Sequence, residues 1–223
     1  MCGDADDRFV DAAALPADAS MIAVLDGDAA VLDAALARLE QHVRGGAAGL
    51  SVPTAFALGQ WRWEVPLVRR SFATIGVATG GIAAVQLAPV GAGVGPRVWA
   101  APLACPVEQL VAALDGFEIQ DTGGVVIATP RDRTRFAYDL VVRPDTVVLC
   151  PEGAARRILA AWDRPVAPTA GTTLRQHVFD LEAAAVRIAV RETGLLGPDA
   201  RASNTATHLV RIDGDGLDAT LAP

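Results

Sequence analysis

Short apolar runs broken by tight turns recur along this chain. Residues 72–79 and 82–88 flank Gly80-Gly81, and residues 117–122 and 125–129 flank Gly123-Gly124. Gly-Gly between β-rich runs favours a two-residue hairpin, because that turn needs positive φ. Residues 138–142 and 146–149 flank Arg143-Pro144-Asp145, and residues 208–212 and 217–221 flank Asp213-Gly214-Asp215-Gly216. A further hairpin is expected between residues 55–58 and 61–65, turning at Gly59-Gln60.

Four segments carry a helical period instead. The first spans about 28–44, with Asp28 as its cap and Gly45 as its stop. Val31, Leu32, Ala35, Leu36, Leu39 and Val43 form its apolar stripe. The second covers 106–114, with Cys105 at the cap position and Pro106 at the first helical position. The third covers 151–162 behind Cys150, and the fourth about 181–193 behind Asp180. Together these predict an α+β fold: a mainly antiparallel sheet of repeated β-hairpins, with about four helices packed on one face. The ordered domain is expected over 20–223, with a sub-boundary near 165–171. Residues 1–19 hold five aspartates among small side chains and read as an acidic tether.

Composition narrows the function classes. The net charge is −7, with 26 acidic against 19 basic residues, which argues against nucleic acid. Every basic residue is Arg, so lysine chemistry (a P-loop, a Schiff base, a Ser-Lys dyad) is excluded. Residues 71–96 carry no charge and are long enough to span a bilayer, but six glycines and Pro89 fit hairpin strands better.

The N-terminus offers a compartment. Cys2 followed by Gly3 and Asp4-Ala5-Asp6-Asp7 looks like the start of a mature bacterial lipoprotein. The strand 22–26 after Leu15-Pro16-Ala17-Asp18-Ala19 resembles the opening of secreted bacterial lipoproteins of unknown function. The run Val98-Trp99-Ala100-Ala101-Pro102-Leu103 and the later Gly123-Gly124-Val125-Val126 resemble their next repeat. The resemblance covers about residues 1–160. It implies an envelope location with the membrane reached through a lipidated Cys2, and it brings no activity and no catalytic residues. Acylation with more than one chain, at ~0.8 kcal/mol per buried CH₂, would anchor stably. A cytoplasmic location is the alternative.

Candidate chemistry is sparse. Cys105 and Cys150 each end a strand and precede a proline. They are open to three readings: buried thiols, a disulfide between them, or a redox thiol activated by a helix N-terminus. Trp61 and Trp63 alternate around Arg62, so on a strand both indoles would share one face and could line a binding groove. His42, His177 and His208 lie in no metal-spacing motif, and the loop 213–218 lacks the ligands of a calcium site. Arg131-Asp132-Arg133-Thr134-Arg135 reads as a solvated loop. No nucleophile elbow is present, and neither metal nor cofactor is expected. The expectation is a non-enzymatic envelope protein that binds a protein partner or serves a structural role. A small-molecule or lipid-binding module, lined by the two indoles and residues 72–88, is the first alternative, and a thiol redox protein the second.

Overall fold

A computed structural model describes residues 10, 15–16, 19–45, 52–77, 79–87, 95–162, 174–191, 207–213 and 216–222. Along the chain run β1 (Ala19–Asp26), α1 (Ala29–Arg44), α2 (Val52–Gly59), α3 (Trp61–Thr74), β2 (Gly81–Leu87) and β3 (Arg97–Pro102). Then come α4 (Val107–Ala113), β4 (Phe117–Asp121), β5 (Val126–Pro130), β6 (Asp139–Val142) and β7 (Thr146–Cys150). The last part holds α5 (Ala155–Trp162), α6 (Leu174–Asp180), β8 (Val186–Arg191), β9 (Thr207–Ile212) and β10 (Leu217–Ala222). All ten strands join one open sheet in the order β10-β9-β8-β1-β2-β3-β7-β6-β5-β4. Every neighbouring pair is antiparallel. The α+β class and the antiparallel sheet therefore stand.

The helices do not share one face. Alternate residues of β1 enter two separate cores: Met21, Ala23 and Leu25 face the first, Ile22 and Val24 the second. Leu32, Ala35, Leu36 and Leu39 of α1, the stripe of α3, and Leu110 of α4 fill the first core. Ala155, Ile158 and Trp162 of α5, with Leu174 and Val178 of α6, fill the second. A sheet covered on both sides needs apolar residues at consecutive positions, which is why β1, β2 and β7 are almost uniformly buried. Those runs carry no alternation from which a one-sided cover could be distinguished.

Some elements form where local chemistry alone requires them. Asp28 Oδ1 accepts from the N–H groups of Ala30 and Val31, both at 2.9 Å, and opens α1. Gly45 N–H donates to Gln41 O at 2.9 Å and closes it. Gly123 and Gly124 adopt φ of 78° and 94° at the β4–β5 turn, and Asp121 Oδ1 accepts from both of their N–H groups. The hairpins β6–β7 and β9–β10 also fall at the expected turns.

Elsewhere the expectations fail. Residues 55–65 are not a hairpin but the end of α2 and the start of α3, and 72–79 is not a strand, because α3 runs on to Thr74. The helix expected over 181–193 is absent; α6 ends at Asp180 and the strand β8 follows. Val186, Ile188 and Val190 alternate on one face of β8 and pack in the first core. This burial outweighs the helix propensity of the preceding Ala183-Ala184-Ala185. Within the segment expected to be a tether, Val10 and Leu15 are buried in the second core, and Arg175 Nη1 donates to Leu15 O at 3.1 Å. The chain is thus held to the sheet before β1 begins. Cys2, residues 165–171 and residues 192–206 lie outside the described residues.

Candidate docking surface

Trp61, Val65, Val68 and Phe72 recur every three to four residues and are the buried side of α3. Successive residues on a helix are turned by about 100°, so Trp61 and Trp63 cannot share a side. Trp61 is fully buried and meets Trp99 edge-on, with ring centroids 5.8 Å apart. Trp63 is 76% exposed. The binding face expected of the two indoles together is therefore not formed, and Trp63 alone remains for it. Leu67, one turn further on, is 56% exposed and lies on the same side of the helix as Trp63. Phe56 of α2 is 69% exposed.

Rigid supports hold this surface in place. Trp99 Nε1 donates to Glu64 Oε1 at 3.1 Å, and Glu64 Oε2 pairs with Arg97 Nη1 at 3.0 Å. Arg97 Nη1 also donates to Ala57 O at 3.4 Å, next to Phe56. The same glutamate thus ties α3 to β3, and its arginine partner reaches α2. Gln60, Trp63, Glu64, Leu67 and Arg97 line an open hollow of about 420 Å³. On the other flank Arg62 pairs with Asp33 of α1 at 3.1 Å and with Glu40 at 3.7 Å. Tyr138 is half-buried, and that burial, with the Glu64 carboxylate as a smaller cause, raises its phenol above the ordinary value.

The cysteines are not brought together. Cys150 is a free, fully buried thiol at the end of β7, opposite Asp139 of β6. Cys105 is disulfide-bonded and lies beside α4 in the first core, so a bridge between them, one of the three readings, is not made. Cys150 caps no helix: α5 begins only at Ala155. Burial first, and the Asp139 carboxylate second, push its thiol well above the ordinary range, the reverse of the activation a helix N-terminus would give. A redox role at Cys150 is unsupported on this geometry.

The remaining charged groups mostly serve the fold. Asp139 is buried; its Oδ1 accepts from Arg133 Nη2 at 2.5 Å and its Oδ2 from Gly153 N–H at 2.7 Å. Asp132 pairs with Arg135, so two of the basic side chains in the loop 131–135 are engaged internally. Asp213 and Asp218 both pair with Arg211 across the β9–β10 hairpin. Asp26 sits near Arg187; burial raises its carboxyl more than the guanidinium lowers it. No group of three His, Cys, Asp or Glu side chains converges among the described residues. A cleft between α1 and α3, lined by Leu32, Leu36, Val65 and Pro66 with Asp33 and Arg62 at its mouth, holds about 200 Å³. That is below the ~300 Å³ at which small-molecule pockets begin. Of residues 72–88, those at 72–74 end α3 and those at 81–87 form β2, buried between β1 and β3. No helix among the described residues is long and apolar enough to cross a membrane.

Compared with models of protein families, with curated proteins and with solved structures, the chain matches none.

The exposed face of α3 was legible in principle. Residues 61, 65, 68 and 72 carry the helical stripe, but Trp61-Arg62-Trp63-Glu64-Val65 also alternates, and Pro66 argues locally against a helix interior. The helix survives because four large side chains are buried on one side of it.

Proposed function

We propose that this is a non-catalytic binding protein of the bacterial cell envelope, and that it docks a protein partner through Trp63 and Leu67, with Phe56 of α2 a further exposed apolar side chain. The observation that carries this reading is the exposure of Trp63. Among the described residues only five large hydrophobic side chains are exposed, and the three most exposed are these. Trp61, Trp99 and Trp162 are all buried, so the protein readily buries indoles and leaves one out. Tryptophan beside arginine is the composition of protein-binding hot spots, and Arg62 and Arg70 stand on the same helix. The open hollow beside Trp63 suits a side chain of a partner better than an enclosed small molecule.

The envelope location is supported by the disulfide at Cys105, which suits an oxidising compartment. The lipoprotein-like start at Cys2 points the same way only if Cys2 is not its partner, since one sulfur cannot carry both a lipid and a disulfide. Peptide mapping of the protein from its own host, run without reduction, tests it. Acyl mass on the Cys2 peptide gives the lipid-anchored form. A Cys2 peptide linked to Cys105 keeps export and removes the anchor. Both cysteines unmodified and reduced would return the protein to the cytoplasm.

The docking face is tested by a photo-crosslinking residue placed at Leu67 and activated in living cells. The expected result is one adduct with a single protein, lost when Trp63→Asp is added. Adducts to lipid alone, or a pattern indifferent to Trp63→Asp, would refute a protein partner.

A further inference from the structure

The outer edge of the sheet at β4 lies at the far end of the strand order from β10, and no described strand follows it. Its hydrogen-bond phase can be read from the bonds at its two ends. Arg131 N–H donates to Gly116 O and Thr122 N–H to Val125 O, each at 2.9 Å. Antiparallel pairing alternates from there, so Glu118 and Gln120 turn their backbone groups toward β5 while Phe117, Ile119 and Asp121 turn theirs outward. Phe117 N–H is taken by Leu114 O at 3.4 Å. Ile119 therefore presents both an N–H and a C=O to the open side of the sheet.

Over the end of this strand lies a groove of about 620 Å³ between α4, the β4–β5 hairpin and Pro144 of the β6–β7 turn. Its floor is apolar: Val107 and Val111 of α4, Ile119 of β4 and Val126 of β5. Ile119 is 40% exposed there. The charged residues lining it are Glu108 and Asp121, both acidic. Asp115 and Glu118 lie close by in sequence, and none of the four forms an ion pair with a described residue. Natural sheets blunt a free edge with a short strand, charged side chains, a bulge, a proline or a cover. β4 carries the charges Glu118 and Asp121, which repel an acidic strand and leave the edge to a basic one. Here β4 pairs with β5 in unbroken register over its whole length.

We infer that β4 is an acceptor for an extended, basic segment of another protein, added as an eleventh strand. The backbone groups of Ile119 supply the ladder bonds, alternate apolar side chains of the guest enter the groove against Val107 and Val111, and its arginines or lysines meet Glu108 and Asp121. The charge of the groove selects the occupant: a second copy of this chain would bring its own acidic β4 against the first. This surface is separate from the Trp63 face and does not depend on it.

The test uses the intact protein and a fluorescein-labelled ten-residue peptide of alternating Arg and Val, with an alternating Glu and Val peptide as its control. The Arg-Val peptide is expected to bind at least about tenfold more tightly than the control, and binding should slow hydrogen exchange of the Ile119 amide. Ile119→Pro removes the outward N–H while leaving the β4–β5 ladder intact, and should weaken binding by roughly tenfold, the worth of a well-formed hydrogen bond. Glu108→Arg, on α4 and away from the strand, should weaken it several-fold and serves if Ile119→Pro does not fold. Equal binding of the two peptides, an Ile119 amide that exchanges as fast with the peptide as without, or binding unchanged by Glu108→Arg would overturn the inference. So would a dimer of this chain held through β4.

Discussion

Trp61 and Trp63 are two residues apart and have opposite fates, which a helix imposes and a strand would not. Replacing each by Ala separates the two roles. Trp61→Ala removes a fully buried indole packed on Trp99 and should cost about 3–5 kcal/mol of unfolding free energy. Trp63→Ala, at an exposed site, should change stability by no more than about 0.5 kcal/mol. Denaturant melts of both variants check this, and a large loss at Trp63 would mean that the side chain is a structural prop. Cys150 gives the same lesson about environment. A cysteine before a proline suggested an activated helix cap, yet four residues separate it from α5, and burial leaves a protonated thiol. Residue type set the candidates, and burial decided what each could do.

At the scale of elements, the sequence was readable wherever a local interaction sufficed. Asp28 with Gly45 bounded α1, and the Gly123-Gly124 turn fixed β4 and β5, because capping and positive φ need no tertiary partner. α3 and β8 were not readable in this way. α3 contains Pro66 and an alternating start, and its helical state depends on burying Trp61, Val65, Val68 and Phe72 over the sheet. β8 follows a run of alanines that favours helix, and is a strand because Val24 of β1 on one side and Arg211 of β9 on the other pair with Arg187 at its centre. Both errors share one origin. Tertiary burial overrode a short-range preference, and only the wider three-to-four-residue spacing of α3 carried a warning of it.

Across the whole molecule, a continuous ten-stranded sheet has an apolar core on each face of its central strands. Among the described residues several ion pairs bridge elements: Glu64 to Arg97, Arg62 to Asp33, Arg133 to Asp139, and the last carboxylate also holds the start of the turn into α5 through Gly153. The face expected of Trp61 and Trp63 together rested on strand geometry, and on α3 only Trp63 is exposed. The two-sided burial also explains why the helix layers could not be assigned in advance, since uniformly apolar strands do not say which side is covered. The most direct measurement of the account is the native mass of the protein extracted from its host in mild detergent, for the natural chain and for Leu67→Arg. The chain alone weighs 23.1 kDa. The account predicts that the natural protein travels in a larger complex and that Leu67→Arg, folded by circular dichroism, travels at a mass lower by that of the partner docked at Trp63. Two identical masses would contradict docking through the Trp63 face.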